Sequence, residues 1–319
     1  MNQHPSPPLS SPASPPPAPS PSPSPAPSVP LPAPEPVLVT GATGRIGRLV
    51  VDRLLGSGVP VRALVRRPEG ASLPAGVEVV RGDLTEPDGL GPALEGVGAV
   101  FLLWTAPPAT AAAVIERVAA RARRIVFLSS PHRTPHPFFR QPNPMADLHA
   151  EIERLIAATS LEATIVRPGM LASNALPWWA ATVRAGGPVR WPYGASASAP
   201  VDDRDVAAVA AVALTADGHA GGDYVLTGPE PLTHAAQVAA IGEALGRHIP
   251  FEELTPDEFR ELMAGKAPAQ AVEMLLNAWR AAVGPPAHVT TTVADVLGRA
   301  PHTFRAWAAD HADAFTGGA

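Results

Sequence analysis

Residues 37–55 constrain the fold of this chain more than any other stretch. Val37-Leu38-Val39-Thr40 is a short apolar run rich in β-branched side chains, the pattern of a strand buried on both faces. It runs into Gly41-Ala42-Thr43-Gly44-Arg45-Ile46-Gly47, after which apolar side chains fall at 46, 50, 51, 54 and 55. That spacing is helical, and Gly56 and Gly58 stop it. Three glycines at a strand-to-helix junction serve a tight turn, close approach of backbone to ligand, and close packing of helix on strand. The helix start adds free N–H groups and a partial positive charge, so the junction suits an anion such as a dinucleotide pyrophosphate. Gly41, Thr43, Gly44, Arg45, Ile46 and Gly47 are therefore candidate cofactor-binding residues.

The same alternation continues downstream. Strand-like runs at 61–65, 77–80, 100–103, 125–128 and 163–166 are separated by helix-compatible stretches at 87–95, 110–122 and 145–158. Such alternation predicts an α/β fold, a doubly wound parallel Rossmann sheet made of right-handed βαβ units. After Gly169 the pattern loosens. Trp178, Trp179 and Trp191 sit in a Gly/Pro-punctuated segment, and Asp205 opens an Ala/Val helix. Residues 224–226 give one more strand, Thr233 caps a helix running to Gly246, and Thr255-Pro256-Asp257-Glu258 has the form of a capping box. The expected organisation is a Rossmann portion over about 37–170 and a smaller, mainly helical C-terminal substrate lobe over 171–317, with a cleft between them. Tryptophans in such a segment are more often core than recognition residues, and the place of these three between the lobes also leaves open an apolar, aromatic substrate pocket.

Composition narrows the function. Residues 1–36 are mostly Pro, Ser and Ala, too poor in bulky apolar side chains to offset chain entropy, and read as a disordered tail. The chain as a whole is 46% hydrophobic and 17% charged, with a net charge of only −5, so the part beyond the tail is globular in character. No dense basic run marks a nucleic-acid footprint, and no apolar stretch is long enough for a membrane span. The chain has no cysteine, which excludes disulfides and thiolate chemistry and fits a reducing, cytoplasmic setting. His132 and His136 lack further ligands nearby, so no metal site is expected.

The second strand bears on the cofactor. About 20 residues beyond the glycines, binders of NAD place a carboxylate on the ribose 2′-hydroxyl. Here the text is Leu64-Val65-Arg66-Arg67-Pro68, two guanidiniums and no carboxylate. Arginine pairs with a 2′-phosphate that a carboxylate would repel, so NADP(H) is expected over NAD(H), with Arg66 as the contact.

The opening Thr-Gly-Ala-Thr-Gly-x-Ile-Gly with Arg66 resembles the atypical short-chain dehydrogenase/reductases, specifically the NmrA-like group. Gly82-Asp83-Leu84, Ile165-Val166-Arg167-Pro168-Gly169 with Asn174, Asp203-Arg204-Asp205-Val206-Ala207, Gly228-Pro229-Glu230 and Leu297-Gly298-Arg299 extend the likeness over about 37–315. The resemblance implies that Asp83 and Leu84 line the adenine site and that Trp104 and Thr105 flank the bridge from adenosine to nicotinamide. It also implies that the end of strand five, Ser129-Ser130, faces the substrate.

The superfamily's catalytic Tyr-x-x-x-Lys pair is missing. The two tyrosines are Tyr193 and Tyr224, the lone lysine is Lys266, and the aligned positions hold Met145 and His149. Without a phenol to protonate an alkoxide, simple carbonyl reduction loses its usual acid, whereas quinones, iminium ions and similar conjugated acceptors accept hydride with little acid assistance. His149 and Ser130 are the candidate catalytic residues, since neutral imidazole relays protons near pH 7. Two functions are open to this sequence: an NADPH-dependent reductase of an aromatic or conjugated small molecule, and a non-catalytic NADP(H) sensor that alters partner binding.

Overall fold

Strand β1 (Val37–Thr40) is flanked by β2 (Val61–Val65) on one side and β4 (Ala99–Leu103) on the other, and this arrangement sets the whole architecture. The computed structural model describes Met1 and residues 35–316. Strands β3 (Val77–Arg81), β5 (Arg124–Leu128), β6 (Glu162–Pro168) and β9 (Asp223–Leu226) complete a seven-stranded sheet in the order β3-β2-β1-β4-β5-β6-β9, all parallel. The expected Rossmann sheet is present. The chain runs outward from β1 to β3 and then crosses back to β4, so the strand order reverses between β1 and β4. In open parallel sheets, ligands bind outside the carboxyl ends of the strands at such a reversal.

Both faces of the sheet are covered, which explains why its strands read as unbroken apolar runs. On one face α1 (Arg45–Gly56), α6 (Asp203–Thr215) and α10 (Thr292–Leu297) pack through Val50, Val51, Leu54, Val206 and Val293, all at most 1% exposed. The other face holds α2 (Gly91–Leu94), α3 (Ala111–Ala119) and α4 (Pro144–Ala157), with Val114, Ile115, Ile152 and Ile156 at the contact. Burying each such side chain contributes about 1.5–3 kcal/mol.

A third core belongs to the C-terminal elements. These are α5 (Ala175–Arg184), β7 (Val189–Pro192), β8 (Ala197–Ser198), β10 (Leu232–Thr233), α7 (His234–Ala244), β11 (Phe251–Leu254), α8 (Pro256–Met263), α9 (Ala269–Ala281), α11 (Phe304–Asp310) and α12 (Asp313–Thr316). Strand β7 pairs in parallel with β11, and β8 pairs with β10 antiparallel. Trp179, Trp191, Trp279, Phe259, Phe304 and Trp307 fill the centre of this core.

Local chemistry sets several boundaries. Helix α6 starts at Asp203 rather than Asp205, because the Asp202 carboxylate accepts the Arg204 N–H at 2.8 Å and is the true cap. The stretch 87–95 is a 3-10 turn (Pro87–Leu90) followed by the single turn of α2, since Gly89, Gly91 and Pro92 do not favour one continuous helix. Thr233 caps α7, which ends at Ala244, two residues before Gly246 takes φ +63°. The Thr255–Glu258 capping box forms on α8 with both reciprocal hydrogen bonds. Apart from Met1, Glu35 and Pro36, the tail reading for 1–36 falls outside the described residues. Among the described residues, no helix is long and apolar enough to cross a membrane.

Candidate functional site

The glycine turn after β1 is shaped around close backbone contacts. Gly41 has φ +65°, a left-handed conformation that favours glycine, and its carbonyl accepts the Gly44 N–H at 2.9 Å. A Cβ added at Gly47 would lie 2.2 Å from that same carbonyl oxygen, so α1 meets β1 only with glycine there. Gly44 occupies the cap position of α1 without a side-chain cap, and no acidic residue stands in the first turn. The first-turn N–H groups and the positive end of the helix therefore have no local anion. Ile46, one of the candidates, is 6% exposed and packs into the core below the turn. Its side chain holds the turn from beneath, and only its backbone is offered to a ligand.

A cavity of 260 Å³ lies against this turn, at the carboxyl ends of β1 to β4. Gly41, Thr43 and Gly44 form one wall, and Arg66, Asp83, Leu84 and Thr105 form the others. Arg66 is exposed, and its guanidinium has no hydrogen bond or ion pair among the described residues. The Asp83 carboxylate accepts the Thr85 N–H at 2.9 Å, which fixes the turn after β3. Trp104 turns away from its neighbour Thr105. It is 7% exposed in the core under α3, with its indole N–H donating to the Ala106 carbonyl at 2.6 Å. A large apolar ring gains more there than at a polar cleft edge. Arg45 reaches the Ser173 carbonyl at 2.9 Å and so ties the start of α1 to the segment after β6.

One strand over, the end of β5 carries the second group of candidates. His149 Nδ1 lies 3.0 Å from Ser130 Oγ, so the two proposed catalytic residues are brought together. The imidazole sits edge-on to the Phe127 ring, with centroids 5.6 Å apart. Burial lowers the His149 pKa to about 4; nearby Glu153 opposes this, while His132 and Arg167 reinforce it. The imidazole is therefore neutral at physiological pH.

Behind this pair is a buried ionic cluster. Arg167, 1% exposed on β6, donates to both carboxylate oxygens of Glu153 at 2.6 and 2.8 Å, to the Ser130 carbonyl at 2.9 Å, and to Asp223. Ser129 Oγ donates to Glu153 at 2.5 Å. Burial pushes the Glu153 carboxyl up, but the hydrogen bonds from Arg167 and Ser129 outweigh it and hold the group below its ordinary value. Ser129 therefore faces the interior, and of the two serines Ser130 faces a cavity. Sequence reasoning assigned Glu153 no role. Two signals were available: its i+4 spacing from His149, and an arginine inside an otherwise apolar strand, which needs a buried counter-charge.

Ser130 and His132 border a cavity of 150 Å³ whose remaining walls are mostly apolar. They come from Phe138 and Phe139, from Met170 after β6, and from Met274, Leu275 and Ala278 of α9. Of the two readings of Trp178, Trp179 and Trp191, core packing holds and the aromatic pocket does not. Trp179 and Trp191 are 1% and 4% exposed in the C-terminal core, with Trp178 packed against them. Phe138 and Phe139 supply the pocket's aromatic wall instead.

Comparison with known proteins agrees with this geometry. A family model described as NAD(P)H-binding matches residues 41–217. A (4-alkanoyl-5-oxo-2,5-dihydrofuran-3-yl)methyl phosphate reductase of Streptomyces griseus is 41% identical over 288 residues, covering 88% of this chain and 99% of the relative. An NAD(P)H azoreductase of Xenophilus azovorans is 33% identical, over 88% of this chain and 99% of its own length. The crystal structure of an NADPH-dependent quinone oxidoreductase from Escherichia coli shares the fold with a TM-score of 0.72 at 24% identity, covering 86% of this chain and 98% of that one. The chain belongs to the NAD(P)H-binding family.

Proposed function

We propose that this protein is an NADPH-dependent reductase of a conjugated, electron-poor small molecule, and that Ser130 and His149 deliver the proton. The observation that carries this reading is the 3.0 Å Ser130–His149 contact, with Ser130 on the wall of the apolar cavity at the end of β5, two strands from β1 and its glycine turn. Adjacent strands lie about 4.8 Å apart, so β5 stands roughly 10 Å from β1, and a dinucleotide held at the glycine turn would extend towards it. The acceptor cavity draws on both portions of the chain, with Ser130, Phe138, Phe139 and Met170 from the first and Met274, Leu275 and Ala278 of α9 from the second.

In this reading the first-turn N–H groups of α1 hold the pyrophosphate, Arg66 takes the 2′-phosphate, and Asp83, Leu84 and Thr105 border the adenosine half. NADPH, when bound, supplies a hydride. The chain's part is to hold the acceptor, exclude water and move one proton. Hydride addition leaves negative charge on the acceptor's conjugated oxygen or nitrogen, and the Ser130 hydroxyl neutralises it by giving up its proton. His149 restores that proton from Nδ1 while Nε2 takes one from solvent, so the imidazole is neutral before and after. No tyrosine is required. The acceptors named for the relatives fit this chemistry: the furanone carries a ring double bond conjugated to two carbonyls, and azo compounds and quinones are electron-poor π systems.

Two measurements test the reading. Cofactor preference rests on Arg66: calorimetric titration should show NADP⁺ binding more tightly than NAD⁺, and Arg66→Asp should weaken NADP⁺ by about tenfold or more, the cost of losing a charge-assisted pair. Tighter NAD⁺ binding by the wild type would overturn the assignment. Hydride delivery is read with NADPH deuterated on the nicotinamide. Deuterium should appear on carbon in a reduced acyl-furanone, and its absence from a product that does form would exclude direct transfer.

A further inference from the structure

We propose that Phe139 sets the length of the alkyl or acyl chain that the acceptor carries. This inference rests on the reductase reading above and assigns the apolar cavity to the chain, with the conjugated head at the Ser130 rim. At 150 Å³ and lined by Phe138, Phe139, Met170, Met274, Leu275 and Ala278, the cavity matches the size that holds a benzene-sized apolar group. That is room for about six carbons. Methionines at 170 and 274 let the walls adapt to a flexible chain.

Beyond Phe139 the cavity does not end in packed core. The same three side chains, Phe138, Phe139 and Met170, also wall a second space, whose other walls are Gly169, Ala197, Ser198 and Ala199 together with His136, Thr227 and His288. Four of these walls are small, yet the space measures only 10 Å³, about the least that a single water molecule needs. Phe139 is the partition that truncation can remove. Its ring stands edge-on to Phe138 (centroids 4.9 Å, planes 82°) and packs edgewise against His136 and His288 at 6.0 and 6.3 Å. A Cβ built at Gly169 would come within 3.7 Å of its ring tip, so the ring lies directly over the glycine after β6. Phe138, by contrast, packs against the C-terminal core, and the Met170 carbonyl accepts the Val201 N–H at 2.8 Å. Phe139 is half-buried and outside all three cores, so its removal opens space without unpicking the fold.

Chain selection is read in two ways on the full-length protein. The first is calorimetric binding of para-alkylphenols from ethyl to decyl in the presence of NADP⁺, which requires no turnover. The second is NADPH oxidation with alkyl-substituted para-benzoquinones bearing the same chains. For the wild type, affinity and kcat/KM should rise about fourfold per methylene up to about six carbons and then level or fall. Phe139→Ala should carry the rise to the octyl and decyl members, with the decyl compound at least about tenfold better than in the wild type and the ethyl compound within about threefold. Phe139→Leu should break at an intermediate length. The same break point in all three proteins, or no chain dependence in the wild type, would overturn the proposal. If the phenols show the expected pattern while no quinone is reduced, the chain subsite stands and the reductase reading falls.

Discussion

Replacing Glu153 with alanine is expected to destabilise the protein by about 3–5 kcal/mol, because it leaves the guanidinium of a buried Arg167 without its bidentate partner. Arg167 is 1% exposed, so water cannot replace the lost carboxylate, and Asp223 alone remains to balance it. The deletion also strips Ser129 of its acceptor and removes the anion that faces His132 and Arg133. Urea denaturation followed by circular dichroism measures the loss. Pairing Glu153→Ala with Arg167→Met should recover much of it, since the cost lies in the orphaned charge rather than in the missing attraction. A loss below about 1 kcal/mol in the single variant would mean that the cluster is hydrated and that its geometry is not a buried ion pair.

His149→Ala is expected to lower kcat by at least about tenfold on an accepted substrate, at the weak end of the range for a positioned proton donor. Calorimetry should show NADPH affinity changed by much less. The pH dependence separates a relay from a simple charge. With a pKa lowered to about 4 by burial, His149 does not change charge between pH 5.5 and 8, so wild-type kcat/KM should show no inflection near 6.5. An inflection there that disappears in the variant would show an imidazolium to be the acting form. Burial likewise lowers His132, and His234 to about 4. In the unfolded chain these imidazoles take up protons near pH 6.5, whereas in the folded protein His149 and His234 do so only near 4. Stability is therefore complete above about pH 6.5 and is lost as pH falls through that window.

The parts of the molecule governed by local pattern were legible in the sequence. The glycine turn, the parallel sheet and the caps at Thr233 and Thr255 follow from residue types at fixed spacings. The Ser130–His149 contact was legible as a pair of positions, because register along α4 and the end of β5 place both at the same edge of the sheet. What depends on long-range packing was not. Nothing near Trp178 and Trp179 states that Trp279, a hundred residues later, completes their core and withdraws them from the cleft. Nothing near Phe139 states that α9 will close the opposite wall. Trp104 was misplaced for a related reason: its side chain and that of Thr105 leave the strand end in opposite directions, and only packing decides which one meets the cavity.

The reductase reading is tested most directly by NADPH oxidation with the purified protein against a short panel: an acyl-furanone, an alkyl benzoquinone, an azo dye and a simple aldehyde. Saturable oxidation with one or more of the three conjugated acceptors, and none with the aldehyde, is the expected result. It follows from a site that offers a serine–histidine relay and an apolar cavity but no tyrosine. Failure to reduce any conjugated acceptor, together with unequal affinities for NADP⁺ and NADPH, would contradict it and make the protein a redox sensor instead.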